Sequence, residues 1–390
     1  MTGEVQSSNL YFTRLHAERW KNFAEFEINL QRRAFFVGAN AAGKSNLLDI
    51  FRFLRDVTRT GGGFREAVEA RGGVSAIRSL FSRKRSDVVI DVTIGSDDTP
   101  NAWRYRLGFT QDNNRNPRIT EERIWRNDRQ ILNRPDDKDE DDEALLSQTY
   151  IEQISANKAF RPLASYFSTI NYRHIVPQIV REPDRSFGRL EDPYGGDFLE
   201  LVANTQKRTR DSRLRRIAES IKFAVPQLSD LTLEQDAKGF WHLKGRYEHW
   251  RATGAWQTEA QFSDGTLRLM GLLWALMESG GALLLEEPEL SLHPAVVQHL
   301  PSVFSRVARR NGRQVLVTTH SEALLSDRGI ALDEVHLLAS AHEGTKVQTA
   351  INNQQIRLLL EGGITMADAV FPYVRPSNSR QLALFEAIVD

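Results

Sequence analysis

The sequence predicts an α/β fold: a central, mostly parallel sheet, a mixed or antiparallel β layer beside it, and a helical insertion. Three observations predict it. A glycine-bearing turn, Gly38-Ala39-Asn40-Ala41-Ala42-Gly43-Lys44-Ser45, sits between an apolar run and a helical pattern. From Leu269 to Val317 helix and strand patterns alternate, the mark of a parallel sheet. From Asp87 to Leu132 short strand-like runs and turns follow one another, as in an antiparallel layer. At 390 residues, 41% hydrophobic and 26% charged, the chain has the composition of one large globular head with insertions, not of a disordered or fibrous protein.

The elements read in order as follows. Leu10 to His16 and Phe23 to Leu30 are strand-like, and Ala34-Phe35-Phe36-Val37 is an apolar run suited to a buried strand. Asn46 to Leu54 carries helical apolar spacing. Val88-Val89-Ile90, Trp103 to Leu107 and Arg123-Ile124-Trp125 are the strands of the antiparallel layer. Pro135 and the acidic run Asp136 to Glu143 break that layer, and the run reads as a solvated linker. Ala144 to Ser165 reads as helix and Thr169 to Ile175 as strand. Lys207 to Arg216 opens a basic helix ending near Pro226, and a strand-rich stretch reaches Phe262. Beyond it come a helix (Leu269 to Met277), a strand (Ala282 to Leu285), a helix (Ala295 to Arg309) and a strand (Gln314 to Val317). No internal repeat is visible. The expected organisation is a single domain, 1–390, with an N-terminal lobe (1–95), a middle region of β layer, acidic linker and helical insertion (96–260), and a C-terminal lobe (261–390).

Four motifs carry chemistry. The turn at Gly38 matches the P-loop pattern at every fixed position. Its glycines let backbone N–H groups of Gly38, Ala39, Asn40, Ala41, Ala42 and Gly43 face phosphate oxygens, with Asn46 in the first helical turn. Lys44 reaches the β and γ phosphates, and the Ser45 hydroxyl ligates Mg²⁺. Second, the apolar run Ala282 to Leu285 delivers Glu286-Glu287-Pro288-Glu289 to the carboxyl edge of a parallel sheet, where ligands bind. Glu286 is placed for the Mg²⁺ shell and Glu287 to polarise the attacking water; a solvated strand end is the alternative, and it leaves the preceding apolar run unexplained. Third, Gln314 to Val317 leads into Thr318-Thr319-His320-Ser321, putting His320 on the same edge as a γ-phosphate sensor, against the plainer role of a structural histidine. Fourth, Phe262-Ser263-Asp264-Gly265-Thr266 opens a helix with Ser263 or Asp264 as its N-cap.

In this order the four motifs resemble the ABC-type ATPase heads of the RecF, OLD and SMC branch, a group of AAA ATPases that includes the AAA_21-like predicted ATPases. The entry Leu15 to Phe23, with Asn22-Phe23, is similar to that branch's first strand and turn. The middle of the chain matches least. The resemblance implies ATP and Mg²⁺ as cofactors, catalysis by Glu287, His320 and Lys44, and a homodimer in which Ser263 and Gly265 cap the γ-phosphate held by the opposite copy. It also implies that Ser291 to Pro294 forms a loop crossing that interface; Pro294 as the first residue of a helix is the local alternative. Two departures stand out. Glu286 occupies a position where the family shows Asp, so its reach to the metal differs by a methylene. The family's Mg²⁺-watching glutamine has one candidate, Gln178, which a plain loop residue would equally explain.

The interval from Lys44 to Ser263 lacks the sustained heptads of SMC arms, and no Asp-x-Asp pair of a toprim nuclease follows His320. With no cysteine and no signal-peptide core at the N-terminus, a cytoplasmic setting is expected. Lys plus Arg equals Asp plus Glu at 51 each, so any nucleic-acid contact must come from local patches. Two patches qualify: Arg78, Arg83, Lys84 and Arg85, or Lys207, Arg208, Arg210, Arg213, Arg215 and Arg216, each also readable as a solvated helix face. Two functions remain open at this stage. One is the ATPase subunit of a bacterial phage-defence or DNA-maintenance complex, acting on DNA or a separately encoded effector. The other is a nucleotide-dependent protein scaffold that never touches DNA.

Overall fold

The computed structural model describes residues 10–81, 87–182, 192–248 and 255–375. The strands among them are, in chain order, β1 (Tyr11–Trp20), β2 (Phe23–Asn29), β3 (Arg33–Gly38), β4 (Val88–Gly95) and β5 (Trp103–Gln111). Next come β6 (Pro117–Arg126), β7 (Arg129–Arg134), β8 (Asn171–Arg173), β9 (Leu228–Gln235) and β10 (Trp241–Tyr247). The series closes with β11 (Ala255–Thr258), β12 (Leu283–Glu286), β13 (Val315–Thr319), β14 (Val335–Ala341) and β15 (Gly344–Thr349).

They form three sheets. The central one has the order β15-β14-β3-β13-β12-β8, parallel throughout except for β15, which pairs antiparallel with β14. An antiparallel sheet, β2-β1-β4-β5-β6-β7, packs on one side of it, and a small antiparallel sheet, β11-β10-β9, belongs to the insertion. β3, β12 and β13 are buried on both faces, so they read as continuous apolar runs with no alternation. The side chains of the central sheet still divide with period two. Ala34, Phe36, Leu284, Leu316 and Leu338 join the core shared with the antiparallel sheet and the helix Lys44–Thr58. Phe35, Val37, Leu283, Leu285, Val315, Val317 and Leu337 enter the opposite core, with the helices Asp264–Met277, Leu300–Asn311 and Met366–Val374.

Three local expectations are corrected. The segment from Ala144 to Ser165 is not one helix: it holds two single 3-10 turns, Glu143–Ser147 and Asn157–Ala159, before the helix Arg161–Ser168. The buried Glu122 carboxylate accepts the backbone N–H groups of Tyr150 (2.8 Å) and Ile151 (3.1 Å), and Arg134 donates to the carbonyls of Leu145 and Gln148, so these groups are removed from any helical ladder. The acidic run is not merely solvated either. Asp136 caps the short helix Asp137–Asp141, and Asp139 is buried against Arg134 at 2.6 Å, with Glu122 on the other side of that guanidinium at 2.9 Å. Finally, the helix expected over Ala295 to Arg309 is two, Pro294–Val297 and Leu300–Asn311, the second restarting with Pro301 in its first turn, where a missing N–H costs nothing.

Candidate functional site

The parallel register brings the motif-bearing strand ends to one edge: Val37 lies opposite Thr319, Thr318 opposite Glu286, and Gly38 opposite Leu338. At this edge the turn after β3 reverses with Ala41 at φ 63° and Gly43 at φ 93°, both in the left-handed region. Gly43 is the position that requires glycine, because a Cβ there would lie 2.0 Å from Asn22 Nδ2. The helix Lys44–Thr58 begins from Gly43 with no side-chain cap, so its first N–H groups lack intrahelical partners and point at the turn. Gly38, Ala42 and Lys44 are buried or tightly enclosed, whereas Asn40, Ala41 and Ser45 are exposed at the mouth.

The turn is braced from behind. Thr345 on β15 donates to the Ala42 carbonyl at 2.9 Å, Asn22 donates to Thr345 Oγ1 at 2.6 Å, and Asn46 donates to Asn22 Oδ1 at 2.7 Å. Trp20 Nε1 completes the support on the Asn46 carbonyl at 2.9 Å. Asn22 was legible as part of a motif. Thr345, hundreds of residues away, carries no sequence signal at all.

In the mouth, Lys44 Nζ donates to the carbonyls of Gly38 (3.0 Å) and Ala39 (3.2 Å) and lies 3.3 Å from Glu287 Oε1. His320 Nδ1 is 3.0 Å from the same carboxylate oxygen. Burial acts to raise the Glu287 pKa, but the His320 hydrogen bond and the Lys44 charge outweigh it and hold the carboxyl below its usual range. Glu287 also sits at φ 43°, a conformation uncommon for a non-glycine residue and concentrated at functional sites. Its backbone N–H is tied to the carbonyl (3.1 Å) and hydroxyl (3.3 Å) of Thr318.

The neighbouring Glu286 is bridged differently. Ser45 Oγ donates to one of its oxygens and the Tyr172 hydroxyl to the other, while His174 Nδ1 lies 3.0 Å from its backbone carbonyl. Burial, followed by the Glu286 charge, pushes the Tyr172 phenol well above its ordinary range, so it stays a donor. Sequence reading missed Tyr172 and His174, whose only signal was a short strand before Pro177. It also missed the role of Glu289, which is 6% exposed and takes a hydrogen bond from Thr319 Oγ1 while its Oε2 has no partner among the described residues. Burial raises the Glu289 pKa.

The structure brings Lys44, Ser45, Glu286, Glu287 and His320 together. Gln178 is elsewhere in its bonding: its amide donates to Asp264 Oδ2 at 2.8 Å, and Arg181 takes the other oxygen of that carboxylate at 2.5 Å. Ser263 caps the helix Asp264–Met277 through Thr266 N (3.2 Å) and is exposed. A Cβ on Gly265 would meet the Ser291 carbonyl at 2.6 Å, so the capped turn lies directly on the loop that follows the acidic motif. In that loop Ser291 is at φ 63° and His293 caps the helix Pro294–Val297. Of the first basic patch, Arg83, Lys84 and Arg85 lie outside the described residues, and Arg78 is half-buried beside Trp20.

Residues 33–326 match the family described as "AAA domain, putative AbiEii toxin, Type IV TA system". The chain belongs to that AAA-domain family. In fold it is similar to solved SMC heads. One is an SMC head bound to the C-terminal winged-helix domain of ScpA: 14% identity, TM-score 0.51, covering 87% of this chain and 97% of that one. Another is an SMC head with an extended coiled coil, bound to the C-terminal domain of ScpA, derived from Pyrococcus furiosus: 12% identity, TM-score 0.51, covering 91% of this chain and 100% of that one. No curated protein sequence matches the chain. No helix among the described residues is long and apolar enough to cross a membrane.

Proposed function

We propose that this AAA-family head hydrolyses ATP with Mg²⁺ and pairs with a second copy of itself around two ATP molecules, as the ATPase subunit of a bacterial phage-defence or DNA-maintenance complex that controls a separately encoded effector. The observation that carries the reading is the meeting of Lys44, Glu287 and His320 within 3.3 Å, beside the Ser45–Glu286 contact. The oxygen donors fit the metal: a hydroxyl and a carboxylate are hard ligands of the type Mg²⁺ takes alongside substrate phosphates. When bound, the ion neutralises charge building on the β and γ phosphates.

The chain's own groups divide the rest of the work. Backbone N–H groups at Gly38 to Gly43 and the helix start hold the phosphate oxygens, and Lys44 moves its ammonium from loop carbonyls to the β and γ phosphates. Glu287, kept ionised, takes a proton from the attacking water as the water oxygen bonds to the γ phosphorus and the bond to the β,γ-bridging oxygen breaks, that electron pair leaving with ADP. His320, sharing Glu287 Oε1, is set to contact the γ phosphate. Ser263 and Gly265 are the groups offered to the other copy's nucleotide, with Asp264 fixed in place by Gln178 and Arg181. A defence setting is supported by the toxin–antitoxin wording of the family description.

Ser263→Arg tests the pairing, since it adds bulk at an exposed turn without touching the phosphate loop. Gel filtration with a non-hydrolysable ATP analogue is expected to give a dimer for the wild type and a monomer for the variant, with monomeric ATP affinity retained. A variant that still pairs, or a wild type that encloses ATP as a monomer, refutes the proposal.

A further inference from the structure

The helices Lys207–Ile221 and Leu300–Asn311 face each other across a groove of about 530 Å³. Five arginines line it: Arg208, Arg213 and Arg216 from the first helix, Arg306 and Arg310 from the second, with no acidic residue among the lining groups. Arg208, Arg216, Arg306 and Arg310 are exposed. The first helix has its ion pair between Arg210 and Asp211, leaving Arg208 and Arg216 without a carboxylate partner among the described residues. Arg213 is different: it lies 5.2 Å over the Trp274 ring, which fixes one guanidinium at the floor.

In a chain of zero net charge, five cations gathered around one groove is a local concentration that costs repulsion unless an anion neutralises it. The arginines are also ordered. Residues four apart on a helix share a face with a rise of about 6 Å, and residues eight apart with about 12 Å, so Arg306 and Arg310 form one row and Arg208 and Arg216 another. Two rows of planar forks suit a chain of phosphates, which guanidinium groups grip with two N–H donors each. Thr209 and Ser212, between the arginines, add hydroxyls of the kind that reach phosphate oxygens. No aromatic side chain is among the described residues that line the groove, and these offer no platform on which unpaired bases would stack.

We infer that this arginine groove binds the sugar-phosphate backbone of duplex nucleic acid without reading its sequence. The groove ends against Leu276 and Met277, the last turn of the helix that Ser263 caps at its start. That helix of 14 residues is about 20 Å long, so the groove is a separate site and its assignment does not rest on ATP-dependent pairing.

The test is fluorescence anisotropy of the full chain with a labelled duplex of arbitrary sequence and with its single strand, from about 50 to about 200 mM salt. The wild type is expected to bind the duplex more tightly than the single strand. The double variant Arg306→Glu/Arg310→Glu is expected to weaken binding at least about tenfold and flatten the log–log salt slope by about 2, at about 0.9 per phosphate contact. Its ATP-analogue affinity and thermal midpoint should match wild type, and Arg129→Glu, at the remote start of β7, should bind duplex normally. Wild-type affinity in the double variant overturns the inference, as does preference for the single strand. Displacement by polyglutamate as effective as by unlabelled duplex also overturns it, in favour of an acidic protein surface. Ser263→Arg keeps the two proposals apart, because it should abolish pairing and leave duplex binding intact.

Discussion

Replacing Glu287 by Gln removes one charge and keeps the shape. In the structure that carboxylate lies 3.3 Å from Lys44 Nζ and 3.0 Å from His320 Nδ1. At 3.3 Å and an effective dielectric near 20 the gross attraction to Lys44 is about 5 kcal/mol; for a partly solvated pair the net value is about 1 kcal/mol. An arriving triphosphate must compete for Lys44 and also sit beside a negative carboxylate. Glu287→Gln lifts both penalties, so ATP affinity should rise about fivefold, the equivalent of about 1 kcal/mol. Turnover should move the other way. Loss of a general base costs about 10²- to 10⁴-fold, or about 3 to 5 kcal/mol on the barrier. Phosphate release under saturating Mg-ATP measures the second effect and equilibrium nucleotide binding the first. Normal turnover in Glu287→Gln refutes the assignment of the base. Weaker ATP binding refutes the charge argument, because it would mean that the carboxylate helps to hold nucleotide.

Other perturbations follow from the same contacts. Gly43→Ala places a Cβ 2.0 Å from Asn22 Nδ2 at φ 93°, so ATP binding should be lost and the thermal midpoint lowered; an unchanged midpoint would mean that the brace behind the loop yields freely. Arg134→Met leaves Glu122 and Asp139 as buried carboxylates without their cation, at a cost of about 3 to 5 kcal/mol in chemical denaturation, with ATP affinity unchanged in the folded fraction. Glu289 has a raised pKa, so its contribution to stability is complete below the unfolded-state value and is lost as pH rises through the folded-state value. Glu289→Gln abolishes that loss. Its thermal midpoint should therefore gain on wild type as pH goes from about 5 to about 8, and a gap that is constant or shrinks with pH would contradict the raised value.

What the sequence could reveal was set by the range of the interaction. The glycine turn, the acidic strand end and Thr318-Thr319-His320 are continuous in the chain, and each couples a short pattern to an adjacent buried strand, so the parallel sheet and the edge where these motifs meet were readable. Tyr172 and Thr345 were not, because their value lies in meeting Glu286 and Ala42 across strands far apart in sequence. The misread segment from Ala144 to Ser165 has the same origin. Its apolar content suits a helix, but the distant Glu122 carboxylate takes two N–H groups, Glu152 takes the Thr149 N–H, and Arg134 takes the carbonyls of Leu145 and Gln148. The acidic run shows the converse: composition placed it in water, yet one of its members, Asp139, closes a buried ion pair.

The contacts around Pro288 connect the proposed catalytic carboxylate to the proposed partner surface. Glu287 is fastened to Thr318 through its backbone and to His320 through its side chain. Two residues on, Glu289 grips Thr319 and the His320 N–H, so β12 and β13 are locked at their tips by acids on either side of the proline. Ser291 follows after Leu290, and its carbonyl bears on Gly265 with no room for a side chain between them. Under the proposed function, a γ phosphate that displaced His320 would be linked to the turn that carries Ser263 through Glu287, Glu289 and the Ser291–Gly265 contact. In a close-packed interior such a shift is transmitted as a change of arrangement, not dissipated, and the proposed partner surface is where the change would emerge.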